Sequence, residues 1–425
     1  MILRFFPSFI TKLVNLQTLK LFCCGKLREL PVDIQKMVSL KNLDLRLCEN
    51  LTHMPCGLGQ LTSLQTLNLF VVGKGPVDSS KHCGGLAELN KLNDLRGKLV
   101  IENLAWVKDA TSEFKDANLK DKQRLSELIL RWNPEGGDGV DASDDENSMD
   151  SLQLHESLKS LEVDGYMGVR LRVSFLTNLV ELIIGRCKKC QYLPPLYQLS
   201  TLRRLQISSM DSLEYMTDGD MNDEIFASLA SPSTFFPSLE TLWLLYCPNL
   251  KGWWRRDKGN EATMTSTISS SSTNHYHQHM PYFPCLSSLW LANCPKMTCM
   301  PLFPNLEKAL FLWDSSLKVL EETIEMNNTG GRASSFPSSS SSSSFSPPLS
   351  KLKKLSLWNI EELESLPEEW FKNLTSLESL QILECPNLMS LPDGMSHLTS
   401  LQRVEIKNCP NLTSLPEWMS HLTSL

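Results

Sequence analysis

Leu16-x-x-Leu19-x-Leu21-x-x-Cys24-x-x-Leu27-x-x-Leu30-Pro31 is followed 24 residues later by Leu40-x-x-Leu43-x-Leu45-x-x-Cys48-x-x-Leu51-x-x-Met54-Pro55, the same phrase with one leucine exchanged for methionine. Towards the other end, Pro392 and Pro416 are again 24 residues apart. Within the phrase, Leu-x-Leu puts two leucines on one side of a short strand, because strand side chains alternate with period two. The residues between and beside them face the other way. The x-x-Cys step turns the chain out of the strand around a small apolar side chain. The later leucines and Pro-x-x-Ile/Leu/Met carry it back. One unit cannot bury its own leucines, so units must stack, each covering the apolar side of the next.

This spacing defines a leucine-rich repeat. The expected fold is an α/β repeat solenoid: a leucine-rich repeat horseshoe with a concave parallel β-sheet and an irregular, loop-rich convex side. Strand leucine pairs run from Leu19/Leu21 and Leu43/Leu45 through Leu242/Leu244 and Leu289/Leu291 to Leu380/Ile382 and Val404/Ile406, about fourteen units in all. Four blocks follow from breaks in the period: regular repeats over 1–72, divergent repeats over 73–216, repeats with polar and serine-rich insertions over 217–348, and regular, uncapped repeats over 349–425. Insertions in such arrays map to loops. The irregular stretch 73–122 is expected to hold short helices. The acidic loop 133–153 lacks the alternating Asp/Asn, Gly and distal Glu of a calcium loop, and the run Ser338–Ser344 reads as disordered. Met1 begins inside a unit and Leu425 stops on the first leucine of another, so the array reads as truncated.

The 425 residues carry a formal net charge of −7, which argues against a nucleic-acid binder. No run of eighteen apolar residues predicts a membrane span. The opening MILRFFPSFI keeps repeat phase and is interrupted by Arg4 and Pro7, unlike a secretory signal. Cys24, Cys48, Cys187, Cys247, Cys294, Cys385 and Cys409, of thirteen cysteines, share the column after the strand, which implies reduced, packed thiols and a cytoplasmic chain. Cys187-Lys-Lys-Cys190 has no partner pair at zinc spacing, and His275, His277 and His279 alternate in a loop with no strand to fix them. No Gly-x-Ser-x-Gly or other catalytic constellation occurs. The expectation is no catalytic residue, no metal and no cofactor.

Several stretches are more specific than the repeat: Lys91-Leu-Asn-Asp-Leu-Arg-Gly-Lys-Leu-Val-Ile-Glu-Asn-Leu104, Leu125-Ser-Glu-Leu-Ile-Leu-Arg-Trp132, Leu161-Glu-Val-Asp-Gly-Tyr166, Met210-Asp-Ser-Leu-Glu-Tyr215 and Leu250-Lys-Gly-Trp-Trp-Arg255. They resemble the repeat region of plant coiled-coil, nucleotide-binding, leucine-rich repeat disease-resistance proteins. The resemblance implies a non-catalytic recognition module that senses a pathogen effector or a modified host protein and restrains a nucleotide-binding module in cis or in trans. It implies a cytoplasmic or nuclear site of action. The phosphate loop of that module is absent: Gly97-Lys98 is followed by Leu99, and its earlier glycine position holds Leu92. Alternatives are a substrate-recruiting adaptor of a ubiquitin ligase, an extracellular receptor ectodomain, and a non-functional receptor remnant.

Strand phase points Trp243, Trp290, Phe311, Trp313 and Trp358 out of the concave sheet, where exposed aromatics act as anchors for a protein partner. Trp253, Trp254, Arg255 and Arg256 follow one of these strands and are expected to form a rim.

Overall fold

The computed structural model describes residues 7–73, 83–107, 109–132, 151–171, 176–217, 235–255, 281–325 and 347–414. The acidic cluster, the three alternating histidines, the serine run, Arg256 and Pro416 lie outside the described residues. The chain divides into two compact units, Met1–Pro194 and Pro195–Leu425.

In the first unit, β1 (Thr18–Lys20), β2 (Asn42–Asp44) and β4 (Thr66–Leu67) form a parallel ladder, with Leu19, Leu43 and Leu67 in register. The short β3 (Met54–Pro55) pairs antiparallel with β6 (Cys83–Gly84). A longer parallel ladder runs through β5 (Leu69–Val71), β7 (Arg96–Glu102), β8 (Arg124–Arg131), β9 (Ser160–Asp164) and β10 (Glu181–Gly185). Its core column of Leu128, Leu161 and Leu182 is in register and at most 1% exposed.

The third unit departs from the sequence phase. Phe70, not Leu69, sits opposite Ile101 and is fully buried. The strand is broken at Asn68, whose amide accepts from the Leu45 backbone N–H at 2.8 Å and donates to Asp44 at 2.7 Å. A side chain thus replaces the ladder bond that the break removes. The irregular stretch contains α1 (Ala110–Asp116), capped by Asp109 accepting from the Ser112 N–H.

In the second unit, β11 (Arg204–Ser208), β12 (Thr241–Leu245), β13 (Ser288–Cys294), β14 (Ala309–Ser315), β15 (Lys354–Trp358), β16 (Ser379–Leu383) and β17 (Arg403–Lys407) pair in order, all parallel. Strands in register about 4.8 Å apart stack identical columns on one another. Leu242, Leu289, Leu310, Leu355 and Leu380 make one buried column and Leu244, Leu291, Leu312, Leu357 and Ile382 the next. The return segments add α2 (Lys318–Glu325) and α3 (Glu368–Asn373). Together these columns are a leucine-rich repeat solenoid.

Seven strand exits use one left-handed residue each. Cys23, Leu47, Arg186, Tyr246, Asn293, Glu384 and Asn408 all have positive φ, and each directly precedes a column cysteine. Their amides keep the ladder going: Tyr246 N–H donates to Ala292 O at 2.7 Å and Glu384 N–H to Lys407 O at 2.8 Å. The left-handed step then swings the cysteine inward. None of these residues is glycine, so each carries conformational strain of the order of 1 kcal/mol that the stack must offset.

The thiols donate to backbone carbonyls two residues back, Cys187 to Gly185 O at 3.2 Å and Cys385 to Leu383 O at 3.5 Å. Burial pushes Cys187 up to about 12 and Cys48 up to about 11. The Cys247 thiol beside it, together with burial, holds Cys294 above the ordinary thiol range. Protonated donors of this kind are packing elements rather than nucleophiles. On the return side, Asn249 and Asn387 donate to Asp211 O at 2.8 Å and Glu361 O at 2.9 Å, tying each turn to the one before.

Candidate functional site

The register of β11–β17 arranges the outward side chains into three rows that cross the strands. The row at the strand starts holds Arg204, Lys354 and Arg403 separated by Thr241, Ser288, Ala309 and Ser379. The middle row runs Gln206, Trp243, Trp290, Phe311, and then Ser356, Gln381 and Glu405. The third contains Leu245, Ala292, Trp313, Trp358, Leu383 and Lys407.

All five aromatics predicted to face outward therefore do so, and they touch. Trp243 and Trp290 have ring centroids 5.7 Å apart, and Trp290 and Phe311 4.8 Å apart. Phe311 meets Trp358 edge-on at 6.4 Å, Trp358 stacks on Trp313 at 5.0 Å, and Trp313 meets Tyr246 at 6.1 Å. The result is a hook of six rings, with the buried Ala292 beside Trp313 in the third row. Trp243 and Trp290 are 38% exposed and Tyr246 49%. Trp358 Nε1 is enclosed and has no hydrogen-bond partner among the described residues. Sequence phase missed Tyr246 because it occupies the left-handed exit position, which belongs to neither strand face.

A polar relay closes one end of the middle row. Ser356 Oγ donates to Gln381 Oε1 at 2.8 Å, and Gln381 Nε2 donates to Glu405 Oε2 at 2.9 Å. Arg403 donates to the same carboxylate at 2.8 Å and Lys407 to its other oxygen at 2.5 Å. The Lys407 ammonium, then Gln381 and Arg403, hold Glu405 down at about 2. One carboxylate thus shares two cations.

The outward face of the first unit differs. Its middle row is Val100, Ile129, Glu162 and Ile183, and its third is Glu102, Arg131 and Asp164. Arg131 reaches Glu102 at 2.9 Å, Glu162 at 3.6 Å and Asp164 at 3.8 Å, and Arg186 pairs with Asp164 from the next turn. These charges satisfy one another.

The R13L1/DRL21 leucine-rich repeat family matches residues 86–210. Disease-resistance protein RGA1 of Solanum bulbocastanum is 32% identical over 324 residues, which is 73% of this chain and 26% of that protein. RGA2 of the same species is 31% identical over 318 residues, 73% of this chain and 25% of that protein. An Arabidopsis thaliana RPP13-like disease-resistance protein is 27% identical over 204 residues, 39% of this chain and 19% of that protein. The chain is similar over 73% of its length to both RGA disease-resistance proteins. It spans about a quarter of the length of the RGA relatives it matches. Among solved structures, the Toll–Spatzle complex matches 86% of this chain and 39% of its own at 15% identity and a TM-score of 0.41, too distant to add to the fold assignment.

Within the repeats, the stretches that resemble those relatives serve packing. Trp132 and Tyr166 are fully buried and meet edge-on at 5.2 Å. Trp253 and Trp254, expected at a rim, are 1% and 0% exposed, so this expectation is corrected. Trp253 packs among Phe235, Phe236 and Phe283 at 5.4–6.1 Å. The phase that reveals this is Cys247-x-x-Leu250-x-x-Trp253, which copies Cys24-x-x-Leu27-x-x-Leu30 and puts Trp253 in a core leucine slot. Among the described rim residues Arg255 alone is exposed, with its guanidinium 5.5 Å from the Tyr215 ring. Gly252 must be glycine: an added Cβ would lie 2.1 Å from Cys299 Sγ and 2.8 Å from its carbonyl oxygen. No group of three or more His, Cys, Asp or Glu able to hold a metal occurs among the described residues. No helix among them is long and apolar enough to cross a membrane.

Proposed function

We propose that the repeats act by protein contact, without catalysis. The hook of Trp243, Trp290, Phe311, Trp313, Trp358 and Tyr246 is the docking face for a pathogen effector, a modified host protein or a nucleotide-binding module that the repeats restrain. The observation that carries this reading is the stacked aromatic row left about two-fifths exposed at Trp243 and Trp290. Large rings held by their neighbours lose little conformational entropy on binding, and apolar area left in water is regained when a partner covers it. The kinship to disease-resistance proteins supports the choice of partner class.

A photoreactive phenylalanine analogue at position 290, with a control at position 183 on the first unit's middle row, tests this in plant tissue before and after pathogen challenge. The expected result is a discrete adduct at 290 that disappears in Trp243→Ala and is absent at 183. Equal adducts at both positions, or none at 290, would overturn the reading.

A further inference from the structure

The aromatic hook has a charged border. At the strand ends beneath it, one left-handed residue follows the third row: Tyr246, Asn293, Asp314, Asn359, Glu384 and Asn408, from β12 to β17. Tyr246, Asp314 and Glu384 thus stand on alternate strands with asparagine between them, and the row holds no cation. The contact of Tyr246 with Trp313 shows that a side chain at this position reaches the hook. Asp314 is half-buried and Glu384 exposed, and neither carboxylate has an ion-pair partner among the described residues. The same position in the first unit holds Cys23, Leu47 and Arg186, and Arg186 is already paired with Asp164.

The border stays negative beyond this row. Glu361, Glu362 and Glu364 follow Asn359 on the turn and are exposed. Glu362 accepts from neutral donors, the Ser316 hydroxyl and the Leu317 N–H. Glu321 of α2 is held above the ordinary carboxylate range by burial and then by Glu362 and Glu325, against a smaller pull from Lys318. The cations in the rows of this face do not cancel the border. Arg403 and Lys407 are bound to Glu405, Arg204 is not free, and Lys354 lies about 13 Å along its strand from Trp358.

From this border we infer that the segment docking on the hook is basic: an extended peptide laid across the strands, with arginine or lysine toward Asp314 and Glu384 and apolar side chains over Trp243, Trp290 and Phe311. This rests on the docking reading above and adds the chemistry of the partner. Neighbouring strands lie about 4.8 Å apart, so Tyr246, Asp314 and Glu384 recur about every 10 Å, or about three residues of extended chain. Because side chains of such a chain alternate, one edge presents cations while the other presents apolar groups. A cation on that edge meets two attractions. The carboxylates hold its charge, and the ring of Tyr246, 49% exposed, attracts it through its face. A guanidinium suits both best, since it stacks as well as pairs. An acidic segment meets repulsion along the row, and so does the phosphate backbone of a nucleic acid. The cations around Glu405 set the limit of the site at β17.

The test uses the full chain and fluorescein-labelled twelve-residue peptides that alternate Arg with Leu, Gln with Leu, Glu with Leu, or Arg with Gly. Binding is read by anisotropy at about 25 mM and 300 mM salt, a range across which exposed charge interactions are progressively screened. The Arg/Leu peptide is expected to bind about tenfold tighter than Gln/Leu at low salt, with most of that margin lost at high salt. Asp314→Asn with Glu384→Gln removes most of the margin, and asparagine tolerates the left-handed backbone at 314. Glu29→Gln with Glu49→Gln takes the same charge from exposed positions of the first unit and leaves the margin in place. This control separates the border from the chain's net charge of −7. Trp243→Ala with Trp290→Ala weakens every Leu-bearing peptide.

If the Arg, Gln and Glu peptides bind alike but the tryptophan variants lose them, the basic partner is overturned while the docking face stands. If no Leu-bearing peptide binds, or none responds to the tryptophan variants, both fall. A margin that survives Asp314→Asn with Glu384→Gln, or falls as far in the first-unit control, assigns the selection to net charge and overturns the proposal. Binding of Arg/Gly equal to that of Arg/Leu, or tightest binding of Glu/Leu, also overturns it.

Discussion

In the first unit Arg131 stands among Glu102, Glu162 and Asp164, and Arg186 reaches back to Asp164 from the next turn. At the same level of the second unit stand Ala292, Trp313 and Trp358, stacked on one another and open along one edge at Tyr246. Both faces are built on the same leucine columns and the same left-handed exits. They differ in the side chains between the leucines, which lie outside the buried leucine columns. A repeat array can therefore change what its sheet displays while keeping those columns. The first face spends its charges internally, and the second leaves its aromatic surface to be covered.

The largest effect separates core from display within the second unit. Trp253→Ala empties a slot among Phe235, Phe236 and Phe283 and is expected to lower stability by about 3–5 kcal/mol in urea unfolding. Trp290→Ala removes a ring from the open row and should change stability by less than about 1 kcal/mol. A loss at Trp290 as large as that at Trp253 would show that the row is core and not display.

Lys122 sharpens the contrast from the other side, since the first unit buries even a lysine for its own architecture. Its ammonium is 0% exposed and donates to Leu89 O at 2.7 Å, at the end of a short helical turn. Burial pulls it down to about 8, against a smaller opposing pull from Asp121. Between pH 8 and 10.5 the unfolded chain holds a proton that the native state has released, so stability rises with pH across that window. Relative to Lys122→Met, the unsubstituted chain should gain about 2 kcal/mol between pH 7.5 and 10. A difference independent of pH would mean that the lysine is not enclosed.

Arg131→Met strands Glu102 and Glu162 and leaves Asp164 to Arg186 alone, and should destabilise the first unit by about 1–2 kcal/mol, less so at high salt. The same change at Lys354, which has no carboxylate beside it in its row, should leave unfolding within about 0.5 kcal/mol. If Arg131→Met is equally silent, the first face is not held by its own ion pairs and the contrast between the two faces collapses.

Much of this was legible in sequence, for a physical reason. The leucine pairs, the cysteine column and the outward aromatics repeat at fixed offsets, and parallel register turns a sequence offset directly into a spatial neighbour. What escaped reading depends on contacts that no offset encodes. The slip at Asn68 that buries Phe70 is set by a hydrogen bond to Leu45, and Lys122 answers carbonyls some thirty residues earlier. Tyr246 joins the hook because its backbone is left-handed, a conformation that tyrosine does not announce. Trp253 and Trp254 suggest a rim because they follow one of the aromatic-bearing strands, although the phase of Cys247 and Leu250 marks a core slot for Trp253.

Hydroxyl-radical footprinting of the full chain tests most directly whether the aromatic face is open for a partner. The account predicts that Trp243, Trp290 and Tyr246 oxidise much faster than Trp253 and Trp254. Equal protection of the two groups would mean that the chain already covers its own hook, and would contradict the account.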